Sequence, residues 1–283
     1  KVDTTLPTVS SVAITSAEGI QNNLLNATDN VSVTATFSET VNVSGNPTLT
    51  LVVGNTNKAS SYTSGDNSTQ LVFRYTIQSG DNDTNGISIP ANAFVLNSGT
   101  ISDPAGNDGT LTHSLVDNNS SYKVDTTAPS VNSFTMNDTE LKIGDNATVT
   151  LVFSEGVILF NSDDDITVDN GSLSTMTSSD NITWIGYFTP TDNIEDDTNT
   201  LSLATSYTDY TGNNGPEAQT ANYEIDTREP TVSSVAITSA SGIQNNFVNA
   251  TDNVSVTATF SEAVNVNTTN GPPTLTIVVG SDN

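Results

Sequence analysis

Carboxylates are the only side chains present in quantity that could do chemistry. The 283-residue chain has 32 Asp and Glu against 6 Lys and Arg, one His and no Cys, a formal net charge of −26. The missing cysteine excludes thiol nucleophiles, thiolate zinc sites, iron–sulfur clusters and disulfides, and His113 alone cannot build a multi-histidine metal site. The charge opposes nucleic acid and direct insertion into anionic membranes. Many acids stand in short motifs that recur. A (V/I)DTxxP segment at 2–7, 124–129 and 225–230 brings Asp3, Asp125 and Asp226; an FSE tripeptide brings Glu39, Glu155 and Glu262; a D-x-x-G-N loop brings Asp103 and Asp209. Acids mixed with Asn and backbone carbonyls are hard oxygen donors, which suit Ca²⁺ at roughly six to eight ligands. No EF-hand loop pattern occurs. The same residues are also turn formers and caps, where Asp, Asn and Gly are expected on geometry alone. His113 has no G-x-S-x-G elbow to work with, and acid pairs repeated in linkers do not suit glycoside hydrolysis, so no enzyme is expected.

The elements that must position these acids are strands. Thr (46), Ser (34) and Asn (35) favour strands, turns and caps over helix interiors, and no convincing amphipathic helix appears. Val31, Val33, Ala35 and Phe37 alternate with hydroxyl residues, the period-two pattern of a half-buried strand; Val149, Leu151 and Phe153 repeat it. Leu49, Leu51 and Val53, then Leu71, Phe73, Tyr75 and Ile77, read as further strands, with turn signals at SGDN 64–67, SGDNDTNG 79–86, DPAGND 103–108 and IGDN 143–146. About seven short strands in each unit of 100–120 residues predict an all-β fold of tandem immunoglobulin-like β-sandwiches. Residues 7–43 return at 230–266 with four differences in 37 positions, and Pro7, Pro129 and Pro230 mark the units. The expected organisation is a linker at 1–6, a domain at 7–123, a linker at 124–129, a diverged domain at 130–224, a linker at 225–229, and the first half of a third domain at 230–283.

The linker, the FSE tripeptide and the D-x-x-G-N loop together resemble bacterial Ig-like tandem repeats of giant extracellular adhesins, of the RTX and biofilm-associated types. The resemblance covers the whole chain and implies a stalk segment with calcium at domain junctions. Sandwich topology then places Asp125 beside Glu155 and Asp209, with Asp29, Asp81 and Asp83 of the preceding domain near the same junction. Asp3, Glu39 and Asp103 belong to the first junction. Asp226 and Glu262, with Asp145 and Asp192, belong to the last.

The expected role is therefore structural: a segment of an extracellular filament at the bacterial cell surface, extended and stiffened by Ca²⁺, whose partners are neighbouring repeats of the same chain. Two alternatives remain open at this point. A glycan- or protein-binding module would need exposed loop aromatics, for which only Trp184, Tyr207 and Tyr210 are candidates. A homo-oligomeric fibre with strand exchange is the other, because the strands of 230–283 leave an apolar face and open edges.

Overall fold

A computed structural model describes residues 2–280 and is almost wholly β; Ser162–Asp165 forms a four-residue helical turn. None of its helices is long and apolar enough to cross a membrane. Residues 281–283, the end of the expected third unit, lie outside the described residues.

In the first unit the main sheet runs Val9–Glu18, Asn30–Ser44, Ser68–Thr76, Thr56–Ser64, Thr48–Val53 and Phe94–Val95. Its alternation does what period two requires: along Thr48–Val53 every second residue is buried. The fifteen-residue strand Asn30–Ser44 serves both layers. Its first half pairs with Val9–Glu18 and Ser68–Thr76; then the register shifts between Thr36 and Val41, and its last residues pair with Thr100–Ser102. The opposite layer is assembled from short pieces, including Leu24–Leu25 paired in parallel with Lys123–Val124 and bridges Val52 to Ser88 and Ile89 to Val116. Between the layers lie Val31, Val33, Phe37, Leu49, Leu51, Leu71 and Phe73, none more than 3% exposed. Full burial of each such side chain contributes about 1.5–3 kcal/mol.

The second unit repeats the plan with different side chains. Val131–Met136, Ala147–Phe153, Thr183–Pro190 and Gly171–Leu173 form an antiparallel sheet, faced by Glu140–Lys142, Tyr223–Asp226 and Glu195–Asn199 and by further short pairs. Its core is more aromatic. Phe153, Phe160, Trp184 and Tyr207 pack together, with Phe160 and Trp184 4.8 Å apart at their ring centres. Of the three candidate aromatics Tyr207 is fully buried, Trp184 is partly buried and Tyr210 is 41% exposed.

Among the described residues the third unit contributes one strand pair, Val232–Ser241 with Asn253–Phe260, in the same register and with the same two irregularities as its counterpart in the first unit.

Candidate functional site

The linkers at 124–129 and 225–230 belong to the domain before them. Val124 is buried in the first core, and its backbone exchanges two hydrogen bonds with Asp83 (2.7 and 2.9 Å). Thr126 is then clamped: its hydroxyl accepts from the Gly80 N–H (2.9 Å) and donates to the Asp81 carbonyl (3.0 Å), and its N–H donates to Asn82 Oδ1 (3.0 Å). The second linker does the same with Ile225 and Thr227. Thr227 accepts from the Ile194 N–H (2.9 Å) and donates to the Thr191 carbonyl (2.7 Å). The aspartate between apolar residue and threonine closes a short turn at all three linkers, accepting from the N–H two residues on: Thr5 to Asp3, Thr127 to Asp125, Arg228 to Asp226.

The FSE tripeptide divides its labour by residue. Phe37 and Phe153 fill cores. The serine ties the strand end to the residue after the linker proline by a reciprocal pair: Ser154 N–H donates to the Ser130 carbonyl (2.8 Å), and Ser130 N–H donates to Ser154 Oγ (2.9 Å). Ser38 with Thr8 and Ser261 with Thr231 are built alike. The glutamate that follows is thereby held at the linker.

The D-x-x-G-N loop supplies the third acid. Asp209 is 1% exposed; its Oδ1 accepts from the Thr211 N–H and hydroxyl and the Asn213 N–H, and its Oδ2 accepts from Asn213 Nδ2. Asp103 is held likewise by the Asn107 N–H (2.8 Å) and Nδ2 (2.7 Å), and these bonds hold its carboxyl below the usual range. The asparagine also reaches the linker: Asn213 Nδ2 donates to the Asp125 carbonyl and Asn107 Nδ2 to the Asp3 carbonyl, both 3.3 Å.

The result is two like clusters. Asp125, Glu155 and Asp209 each present a carboxylate oxygen within 4.8 Å of the others, and so do Asp3, Glu39 and Asp103. Among the described residues no hydrogen-bond donor or cation reaches Glu39 or Glu155. Burial, and then the charges of Asp125 and Asp209, push the Glu155 carboxyl above its usual range. The donor set is all hard oxygen, and Asp209 Oδ2 retains acceptor capacity; these residues fit Ca²⁺.

The other candidate ligands go elsewhere. Asp29 Oδ2 accepts from the Asn26 N–H (2.7 Å) and closes its own turn. Asp83 is buried and accepts from the N–H groups of Gly54, Asn85 and Gly86. Asp81 is paired with Lys58 (2.6 Å) and accepts from Tyr75. Asp145 takes the Lys142 N–H and faces its ammonium at 3.5 Å. These four turn and pair locally because an aspartate buried or half-buried in a turn is held by the N–H groups nearest to it. Asp192 and Glu262 are exposed, and the structure does not gather them with Asp226 into a third three-carboxylate group among the described residues. In the run Asp163–Asp165 the last residue is buried and holds Asn161 and Ser206.

Sequence reasoning passed over Thr126, Thr227, Asn22 and Asn26. Their only trace in the sequence is repetition: VDTTxP and IDTRxP share the threonine and NATD occurs twice, which marks positions and not contacts.

In each of the first two units, two layers of strands closed over one core define an immunoglobulin-like sandwich. Residues 125–225, the second unit with its leading linker, are similar to a bacterial Ig-like domain, whose family model they match. No curated protein matches the chain. Domains of this class are structural or surface-associated repeat modules.

Proposed function

We propose that the chain is a structural segment of a long extracellular adhesin or filament at the bacterial surface, in which Ca²⁺ at domain junctions stiffens the array. One observation carries this reading: three acids from three separate motifs converge at the junction between the first and second units and again ahead of the first unit, each time with a glutamate that has no partner among the described residues. Without a cation the three charges at a junction repel and favour bending; a divalent ion drawing on all three joins the linker to the domain that follows it. The near-identity of residues 7–43 and 230–266 supports a role in which length matters more than site diversity. Low lysine content and high negative charge suit a chain that must stay extended beside its own copies.

The test is small-angle scattering of the whole chain in calcium and in chelator, with binding read separately by terbium luminescence. Calcium is expected to lengthen the particle and narrow its range of shapes. Glu155→Gln is expected to abolish that response at one junction, while in chelator it leaves stability unchanged or raises it, because it removes a repelled charge. Equal maximum dimensions in both buffers would overturn the calcium reading.

A further inference from the structure

The junction between the first and second units holds a second set of contacts that involves no carboxylate ligand. In the D-x-x-G-N loop, Asp209 draws the N–H groups of Thr211 and Asn213 inward. The carbonyls of Tyr210 and Thr211 are left to the outside, and two side-chain amides of the first unit meet them: Asn22 Nδ2 donates to the Tyr210 carbonyl (3.3 Å) and Asn26 Nδ2 to the Thr211 carbonyl (3.2 Å). Both asparagines sit on the 19–29 turn, which is shaped in advance. Gln21 and Leu24 exchange backbone hydrogen bonds (2.9 and 2.7 Å), Asn22 and Asn23 take positive φ, and Asp29 fastens the Asn26 N–H. Gly19 is required there, because a Cβ would lie 1.8 Å from Asp29 Oδ1.

Two comparisons inside the molecule bear on this contact. Gly212, in the docked loop, lies under the amides of Gln21 and Asn26 (3.5 and 3.9 Å from a Cβ built on it), whereas Gly106, at the same place in the first D-x-x-G-N loop, faces open space. The turn also recurs at 242–252 with the same positive φ at Asn245, Asn246 and Thr251 and the same Asp252 to Asn249 bond (2.6 Å), with no loop against it among the described residues. The turn therefore holds its shape without a partner.

We infer that the 19–29 turn is a docking surface for the D-x-x-G-N loop of the next unit, and that its two asparagine amides set the angle between units independently of any cation. The partner chemistry is specific: a loop whose carboxylate turns its N–H groups inward and leaves two successive carbonyls outside. The 242–252 turn is a second copy of the same surface. Calcium, in the reading above, adds to a junction already aligned by this latch.

Because the chain has no cysteine, two spin labels can be placed cleanly, at Thr69→Cys in the first unit and Ser172→Cys in the second. The inter-label distance distribution is measured in chelator, so its outcome does not depend on calcium binding. The parent chain is expected to give one distance narrow enough to define the angle between the units, which calcium narrows further. Asn22→Gly with Asn26→Ala, the glycine chosen to keep the positive φ, is expected to lose it for a broad distribution. The matched change in the other copy, Asn245→Gly with Asn249→Ala, perturbs an identical turn and is expected to leave the narrow distance intact. A parent chain already broad in chelator, or a docked-copy variant as narrow as the parent, would overturn the inference. A broadened 245/249 variant would overturn it too, since the effect would then not come from the junction.

Discussion

Residues 9–37 and 232–260 are one strand pair written twice, and the two copies share every register pairing from Val9 with Phe37 and Val232 with Phe260 onward. They share the cross-strand threonine contact, Thr15 with Thr34 at 2.8 Å and Thr238 with Thr257 at 2.9 Å, and the serine tie to the linker. Their environments differ completely. Val31 and Phe37 are 0% and 3% exposed, whereas Val254 and Phe260 are 39% and 38% exposed. The first copy is roofed by residues 48–124. In the third unit Thr274–Val279 repeats the sequence of Thr48–Val53 almost unchanged, yet it is not paired as a strand among the described residues, whereas Thr48–Val53 pairs with Thr56–Ser64. Pairing, twist and turn shape are thus properties of the local sequence, and burial is a property of what packs over it.

The sharpest way to break this comparison is to remove the same ring from both copies. Phe37→Ala should cost the first unit about 3–5 kcal/mol, the range for a large buried aromatic. Phe260→Ala should change unfolding by less than about 0.5 kcal/mol, as expected of a surface substitution. Hydrogen exchange of the amides in 30–44 and 253–260 reads the two separately. Equal losses would mean that the copies are not packed differently.

That contrast also explains what could be read in advance. Alternation at Val31–Phe37 and Val149–Phe153 reports a face, so the strands and the sandwich were legible. So was the meeting of Asp125, Glu155 and Asp209, because sandwich topology fixes which ends of a domain coincide. Asp29, Asp81, Asp83 and Asp145 were not, because an aspartate in a turn looks the same in sequence whether it faces a cation or the nearest N–H. Thr126 and Thr227 were hidden by composition, threonine being the commonest residue here. The amides of Asn22 and Asn26 work through carbonyls nearly 190 positions away, which no local pattern reports.

A middle-sized effect separates the units by charge. Among the described residues only the first has an ion pair on a buried carboxylate, Lys58 with Asp81, joining the strand Thr56–Ser64 to the loop that clamps Thr126. Burial raises the Asp81 carboxyl, but Lys58, the Tyr75 hydroxyl and the Gln78 N–H together outweigh burial and hold it below the usual range. The folded chain therefore stays ionised where the unfolded chain would already take up a proton. The stabilisation is fully present above the ordinary aspartate value, about pH 4, and is lost as pH falls through the lower folded value. Lys58→Ala should cost about 1–3 kcal/mol, less than a wholly buried pair because the lysine is a quarter exposed, and should flatten the acid limb of first-unit stability. Exchange in 253–260 should not respond. An acid limb unchanged in Lys58→Ala would place the titrating group elsewhere.

The smallest effect should be equal in the two copies, and equality is what makes it informative. Thr34 and Thr257 lie on the outward faces of their strands, each bonded to a threonine across the pair. Val in place of either keeps the β-branched shape that suits a strand and removes only the hydroxyl contact. Loss of an exposed cross-strand hydrogen bond should cost about 0.2–1 kcal/mol wherever it is made. If pairing is local, Thr34→Val and Thr257→Val will shift exchange of their own strand pairs by the same small amount, although one pair roofs a closed core and the other does not. A cost confined to Thr34 would show that packing from residues 48–124 tightens even the outer face, and the division between local pairing and imported burial would then have to be redrawn.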